Sequence, residues 1–145
     1  MSKLAVTAFF FAAVFAFGAE AGQRLSGTWL TEDGSSRIRF EPCGAEDCGR
    51  IVWLQEPISP QTNEPLVDKN NPDRAKQSEP LLGLTIVSGL TESVPATWQG
   101  SLYNPRDGNT YSGQLTRLSP DKMQLKGCAF AGLFCKSETW TLIEP

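Results

Sequence analysis

The chain has 145 residues, a net charge of −3 at pH 7 and no histidine. The lack of histidine excludes a Ser-His-Asp triad, a Cys-His pair and a His-ligated zinc site. Its basic residues are scattered, which argues against a nucleic-acid footprint, and no pair of carboxylates can be placed for glycoside cleavage. We therefore expect a protein that is not an enzyme and that carries no cofactor or metal.

The first residues carry the pattern of a signal peptide. Lys3 precedes an apolar run over residues 4–17, and Ala19-Glu20-Ala21 forms an A-x-A cleavage site. The alternative is an uncleaved membrane anchor, but the run is too short for a comfortable span. We predict a cleaved signal peptide over residues 1–21 and one domain over residues 22–145, without a membrane span, in the periplasm or secreted.

Three strand-like runs with two-residue alternation follow, at residues 26–31, 36–41 and 49–54. Cys43 and Cys48 bracket a four-residue connection between the second and third runs, and directly opposed residues of an antiparallel pair come within disulfide reach. In an oxidising compartment this pattern predicts a disulfide between Cys43 and Cys48. Redox or metal chemistry is the alternative, although the C-x2-C spacing that it favours is missing.

A long connection over residues 55–82 comes next, rich in proline, asparagine and charge. Loops of this length in a compact domain are commonly functional or disordered. Asn71 is predicted to cap a short helical turn that begins at Pro72. Asp68 and Asn70 belong to a polar run that can orient the polar end of a ligand. Ca²⁺ binding is the alternative, but the spacing is not that of an EF-hand.

Five further strand patterns complete the chain, at residues 83–90, 96–103, 110–118, 123–130 and 138–144. Cys128 and Cys135 bracket six residues between the last two patterns, and their spacing predicts a second local disulfide. Eight short strands, mostly with brief connections, favour an all-β, up-and-down antiparallel barrel whose long loop lies over or beside one mouth. A barrel of this size is either filled by side chains or holds one small ligand.

Aromatic residues supply the remaining candidate ligand contacts. All four tryptophans fall inside predicted strands, and we assign Trp53 and Trp98 to the lumen, although core packing explains such residues more often. Tyr103 and Tyr111 flank the Asp107-Gly108 hairpin signal and are expected to pair across it. The predicted ligand-binding residues are therefore Trp53, Trp98, Tyr103, Tyr111, Asp68 and Asn70.

Several segments together resemble one bacterial family. Gly27-Thr28-Trp29 is similar to the G-x-W opening of lipocalin-like barrels. The segments "GTWLTEDG", "RIRFEPCG", "CGRIVWL", "DKNNPD", "PLLGLTIVSGL", "GSLYNPRDGNTYSGQL" and "TWTLI" resemble, in order and spacing, the exported family called domain of unknown function 2147 over nearly all of the mature chain. The resemblance implies a lipocalin-like, or calycin-like, barrel with Cys43 and Cys48 as the family's recurring cysteines. It implies no activity, because none is established for the family.

Two features depart from the lipocalin pattern. No clear helix is predicted before Gly27. No arginine near Trp140 is available to stack on the first-strand tryptophan, Trp29, and Lys136 is only a loose substitute for it.

Two classes of function remain. The first is binding of a small, partly apolar molecule in or at the mouth of the barrel, with the long loop as a lid. The second is a structural or interaction module of the cell envelope with a filled barrel and no ligand. The lumen distinguishes them, because complete filling by the predicted inward residues rules out an internal site. These residues are Ile38, Phe40, Trp53, Trp98, Leu115, Leu125 and Trp140.

Overall fold

The computed structural model describes residues 23–145, so the predicted signal peptide and its cleavage site lie outside the described residues. The eight strands are β1 (Gly27–Leu30), β2 (Ser36–Cys43), β3 (Glu46–Leu54), β4 (Thr85–Val94), β5 (Thr97–Asn104), β6 (Asn109–Ser119), β7 (Lys122–Ala129) and β8 (Phe134–Glu144). Two single 3-10 turns, Arg74–Lys76 and Phe130–Gly132, lie in the connections. No helix within residues 23–145 is long and apolar enough to cross a membrane.

The strands form one closed barrel. Each strand pairs antiparallel with the next, and β1 also pairs with β8. Trp29 in β1 lies opposite Ile38 of β2 on one side and opposite Leu142 of β8 on the other. The up-and-down, all-β architecture expected from the alternating sequence pattern is therefore confirmed.

The strands β4 and β8 each extend four residues beyond one predicted limit. β4 runs to Val94, so that only Pro95 and Ala96 connect it to β5. β8 begins at Phe134, ahead of the expected start at residue 138, because its pairing with β7 continues to the Ala129–Phe134 pair. Residues 135–137 are cysteine, lysine and serine. They carry no apolar alternation, and strand pairing together with the disulfide of Cys135 holds them in the strand.

The predicted disulfide of the last hairpin is present. Cys128 and Cys135 lie directly opposite each other in the β7–β8 ladder, with their Cα atoms 4.1 Å apart. The disulfide therefore closes the end of this hairpin where the two strands separate.

The first disulfide is also present, but its predicted setting is wrong. β2 and β3 are joined by two residues rather than four, and Cys48 lies opposite Glu41 instead of Cys43. The bond between Cys43 and Cys48 therefore crosses the ladder diagonally, with a Cα–Cα distance of 5.8 Å. Gly44 permits the tighter turn, because its φ of +73° lies in the left-handed region that glycine adopts readily.

Side chains fill the interior of the barrel. The inward positions of the strands form one hydrophobic cluster, and Trp29, Leu115 and Met123 within it have no exposed surface. A cavity wide enough for a small molecule would expose the side chains that line it. The cluster contains Ile38, Phe40, Trp98, Leu115 and Trp140, with Leu125 packed against it, whereas Trp53 is not among its members.

An inward-facing glycine allows this filling. The side chain of Leu102 in β5 lies over Gly113 of the neighbouring strand β6, on the inner face of the barrel. A Cβ atom on Gly113 would lie 2.4 Å from Cγ of Leu102, which is far inside van der Waals contact. The missing side chain at Gly113 therefore provides the volume that Leu102 occupies.

The segment that precedes β1, residues 23–26, closes one end of the barrel, and we call it the N-terminal plug. Leu25 is buried, and its backbone N–H donates to the carboxylate of Asp47 over 2.9 Å. Arg24 forms an ion pair with the same carboxylate at 2.8 Å. The carbonyl of Gln23 accepts a hydrogen bond from the indole of Trp98. These contacts extend from β3 to β5, so the plug crosses the end.

An arginine does cover the first-strand tryptophan, in contrast to the sequence-based expectation. The guanidinium carbon of Arg117 lies 5.3 Å from the centroid of the Trp29 ring, within the range of a cation–π contact. Arg117 belongs to β6 rather than to the region of Trp140. Lys136 is exposed, and it lies near the disulfide of the β7–β8 hairpin. Barrel closure brings Arg117 to Trp29, which sequence proximity could not indicate.

We predict that Trp29→Ala lowers the free energy of unfolding by about 3 to 5 kcal/mol, because it leaves a large cavity in a filled interior. The matched control is Trp53→Ala, which removes a half-buried tryptophan outside the core cluster and should cost about 1 kcal/mol. Chemical denaturation monitored by far-UV circular dichroism measures both values. Equal costs would contradict the assignment of Trp29 to the core.

Candidate functional site

The six predicted ligand-binding residues occupy three separate places. Trp98 lies at the closed end, where its indole donates to the N-terminal plug. Trp53 pairs with Arg37 in the β2–β3 ladder, and the guanidinium carbon of Arg37 lies 4.5 Å from the Trp53 ring centroid. The other four residues lie where the long loop meets the β5–β6 turn. Trp98 therefore lies at the opposite end of the barrel from the polar candidates, whereas Trp53 lies at their end, beside the β1–β2 turn, where it contacts Arg37.

The long loop, residues 55–84, has internal structure of its own. Two isolated bridges, Ile58 with Pro65 and Val67 with Pro80, fold it back on itself. A loop with such cross-links is held in one shape by its own backbone.

The predicted helical turn in this loop is present, but its predicted cap is wrong. Asp73, not Asn71, caps the turn, because its carboxylate accepts a hydrogen bond from the N–H of Ala75. The carbonyl oxygen of the Asn71 side chain instead accepts from the N–H of Asp73, and its amide donates to Asp68. Asn71 therefore shapes the approach to the turn.

Asp68 is the centre of the contact between the loop and the barrel. It has no exposed surface, and one carboxylate oxygen accepts a 2.8 Å hydrogen bond from the hydroxyl of Tyr103. The other oxygen accepts from the side-chain amide of Asn71 at 2.7 Å. Its backbone N–H donates to the carbonyl of Glu79. The buried carboxylate is thus held by neutral donors from the loop and from β5.

Asn70 fixes the loop to the β5–β6 turn. Its side-chain amide donates to the carbonyls of Pro105 and Arg106, each at 3.0 Å. The backbone of Asn70 approaches Gly108 closely. A Cβ atom on residue 108 would lie 2.0 Å from the backbone carbonyl oxygen of Asn70. Gly108 therefore has two reasons to be glycine, since its φ is also +72°.

The two tyrosines do not pair across the hairpin as expected. Tyr111 lies opposite Leu102, and Tyr103 lies opposite Thr110, so the tyrosines point to opposite faces of the sheet. Tyr111 donates a 2.6 Å hydrogen bond to Asp107. The hydrogen bond to Asp107, followed by burial, raises the pKa of Tyr111. Each tyrosine therefore serves a different carboxylate.

A further ion pair joins the β5–β6 turn to the β1–β2 turn. Arg106 donates to Asp33 at 2.8 Å. Burial opposes ionisation of Asp33, but hydrogen bonds from Arg106, Ser35 and Thr31 outweigh it and hold its pKa well below the usual range. The long loop, the β5–β6 turn and the β1–β2 turn thus form one connected network at the end opposite the N-terminal plug.

The outer surface of residues 23–145 carries recesses, and two of them lie near the candidate residues or on neighbouring strands. One, of about 450 Å³, lies where the long loop returns to β4, and Pro80, Leu82 and Leu84 contribute to its lining. The second, of about 540 Å³, lies over the outward side chains of β5, β6 and β7, including Gln99, Ser112 and Lys126. Both open to solvent.

The tip of the β7–β8 hairpin, residues 129–134, was not assigned a role from the sequence. Phe130, Leu133 and Phe134 expose 75, 79 and 69% of their surface there. The backbone enters the left-handed region at Phe130 and Ala131, with φ values of 51° and 54°, which is unfavourable for residues with a side chain. The sequence feature that indicates this exposed tip is a set of three large apolar residues between two cysteines that close a loop.

We predict that Tyr103 titrates near pH 12, because burial and its hydrogen bond to Asp68 raise its pKa to about 12. The raised pKa means that the fold favours the protonated phenol. Its contribution is fully present below about pH 10 and is lost as the pH rises through the folded-state pKa. The chain has two tyrosines, so ultraviolet absorbance of Tyr111→Phe follows Tyr103 alone. A midpoint near pH 10 would refute the Asp68 contact.

Comparison with known proteins agrees with the barrel. The family model described as "Uncharacterized protein conserved in bacteria (DUF2147)" matches residues 27–142. No curated protein matches the chain at a significant level. Among solved structures, the chain is similar to protein HP1028 from the human pathogen Helicobacter pylori, described as belonging to the lipocalin family. Their sequences are 19% identical, the TM-score is 0.70, and the match covers 83% of each chain.

The likeness to the Helicobacter protein is a likeness of fold, and it shows that the barrel is lipocalin-like. The match to the family model runs from the start of β1 into β8 and ends two residues before β8 does. The chain therefore belongs to the bacterial family DUF2147.

Proposed function

We propose that this protein is a non-catalytic interaction module of the bacterial cell envelope, acting in the periplasm or outside the cell, with a filled barrel that holds no ligand. The observation that carries the proposal is the exposed apolar tip of the β7–β8 hairpin. Three further lines of support come from the interior, the loop and the disulfides.

The interior argues against a carrier. Most residues of the hydrophobic core cluster have 3% or less of their surface exposed. A lipocalin-like carrier needs an enclosed apolar space that buries most of its ligand. Here Leu102 occupies the space that the glycine at position 113 provides.

The polar candidate residues where the long loop meets the β5–β6 turn already have hydrogen-bond partners within the chain. Asp68, Asn70, Tyr103 and Tyr111 each make a hydrogen bond within the chain. A ligand that used these groups would have to break those bonds, and the buried carboxylate of Asp68 would then lose its donors at a cost of about 1 to 3 kcal/mol for each unsatisfied group. A loop fixed in this way serves as a permanent cover, which disfavours the lid hypothesis.

The hairpin tip, in contrast, exposes apolar surface to solvent. Phe130, Leu133 and Phe134 lie close together in sequence, and the two phenylalanine rings meet edge to face with centroids 5.9 Å apart. Contiguous exposed apolar surface on a soluble domain commonly marks an interaction site. The two disulfides support an oxidising location outside the cytoplasm.

Cell fractionation tests the proposal. We predict that the native protein associates with the envelope fraction and that the double variant Phe130→Ser/Phe134→Ser moves to the soluble exported fraction. Leu118→Ser is the matched control, because Leu118 is 56% exposed on β6 near the β6–β7 turn, away from the tip. Unchanged thermal unfolding confirms that the variants fold. Equal partitioning of tip and control variants would refute the proposal.

A second candidate is binding of a small, partly apolar molecule at the mouth of the barrel. The observation that favours it is the recess at the base of the long loop, where Leu82 is 53% exposed and Glu79 supplies a carboxylate beside apolar lining. Its volume of about 450 Å³ is within the range of ligand sites.

We predict, for this second candidate, that native mass spectrometry of protein purified from its exported compartment detects a retained small molecule, and that Leu82→Glu abolishes its retention. Leu118→Glu introduces the same charge on an exposed strand position and should retain the molecule. Failure to detect any molecule, or equal retention by both variants, would contradict binding at the recess.

A further inference from the structure

We infer that the tip of the β7–β8 hairpin docks on an anionic lipid surface, with Phe130, Leu133 and Phe134 inserted at the level of the head groups and Lys126 and Lys136 contacting lipid phosphates. The inference rests on the proposed function, since it names the partner of the same apolar tip. It is argued from the rigidity of the tip, its apolar surface and the charge around it.

The tip is held in shape before it meets a partner. Cys128 and Cys135 are directly opposed and disulfide-bonded, and only residues 129–134 extend beyond them. The N–H of Leu133 donates to the carbonyl of Phe130 and closes the turn. A covalently closed loop of this length loses little conformational freedom on binding. Its apolar side chains can therefore enter an interface without first ordering the backbone.

The apolar side chains are concentrated at the end of the hairpin. Phe130, Leu133 and Phe134 are each more than two-thirds exposed, and Ala129 and Ala131 beside them add no polar group. A compact tip of this kind matches the shallow boundary between head groups and acyl chains, about 5 to 10 Å deep, better than it matches a broad protein interface.

The charged residues of the hairpin that lie nearest the tip are of one sign, and Glu138, three ladder pairs behind the disulfide, is the first acidic residue of the hairpin. The chain as a whole has a net charge of −3, yet residues 122–137 contain three lysines and no aspartate or glutamate. Lys126 lies opposite Ser137, and Lys136 lies opposite Gly127, so both follow the disulfide within two ladder pairs. Within residues 23–145 neither lysine forms an ion pair. Lys122, by contrast, lies at the other end of the hairpin and donates to Thr141.

The spacing of these lysines suits a membrane interface. With about 3.3 Å per residue along a strand, the Cα atoms of Lys126 and Lys136 lie roughly 3 to 7 Å behind the disulfide. Long lysine side chains extend along apolar surface and place their ammonium groups in the polar layer. When the apolar tip is inserted, the ammonium groups therefore reach the phosphates. Lys126 lies on the outer face of the barrel. Lys136 is exposed on the opposite face of the hairpin, on the side of the barrel mouth, so the two lysines approach the lipid from different sides of the tip.

Vesicle co-sedimentation of the purified exported protein tests this inference. One set of vesicles contains phosphatidylcholine alone and the other contains added phosphatidylglycerol. We predict binding to the anionic vesicles that weakens with salt. Phe130→Ser/Phe134→Ser should lose at least about tenfold in affinity. Lys126→Gln/Lys136→Gln should lose on the order of twentyfold, because each lysine near an anionic surface contributes about fivefold. Leu118→Ser should bind as the native protein does.

The outcomes separate the inference from the proposed function. Binding that is equal on the two kinds of vesicle, or that is the same for native and tip variants, overturns the lipid inference. If native protein binds no vesicles while envelope association in cells still depends on the tip, the partner is a protein, so the inference is wrong and the proposed function stands. If neither vesicle binding nor envelope association depends on the tip, both are wrong.

Discussion

The filling of the barrel interior is the constraint on which the rest of the structure depends. A barrel of eight strands is either filled by its own inward side chains or holds one small ligand. In this chain, tryptophans at positions 29, 98 and 140 occupy much of that volume, and all three are fully buried. Small residues must then face the large ones, as Gly113 faces Leu102. The size of the inward residues decides whether such a barrel carries a ligand, and here they leave it solid.

A filled interior supports our proposal that the ends and the outer surface of the barrel are where partners bind. One end is closed by the N-terminal plug, whose Leu25 is buried and whose polar atoms are bonded to β3 and β5. The other end is covered by the long loop through the buried carboxylate of Asp68. Both ends are thus stabilised by hydrogen bonds to buried groups, which are costly to leave unpaired. The β7–β8 tip differs from both, because its apolar side chains contact water.

The sequence was sufficient to predict the barrel, its strand order and both disulfides, because each depends on local pattern. Two-residue alternation, Asp-Gly turns and cysteine spacing are all readable within a few positions. The contacts that it did not predict are long-range. Arg117 meets Trp29 only after β6 and β1 are placed in one barrel, and Asp68 meets Tyr103 across 35 positions.

The candidate site illustrates the same limit. Tyr103, Tyr111, Asp68 and Asn70 are predicted as ligand contacts from their residue types, and the structure places them where the long loop meets the β5–β6 turn, each with a hydrogen bond within the chain. A polar side chain in a loop is equally suited to a ligand or to the neighbouring turn, and only geometry distinguishes the two. The side-chain amide of Asn70 donates hydrogen bonds to the backbone of the β5–β6 turn, so this residue fixes the long loop to that turn.

The pairing of the first strand with the last affects the order and rate of folding. Trp29 and Leu142 are partners at nearly opposite ends of the chain, and such non-local pairs form slowly because a long stretch of polypeptide must be ordered before they are made. While the C-terminal residues are still being delivered, β1 can pair with β2 but not with β8, and the sheet has an open edge. Open edges recruit other strands. The interval between the arrival of the first and last strands is therefore when this chain is most prone to aggregation, and protection by a chaperone would matter most then.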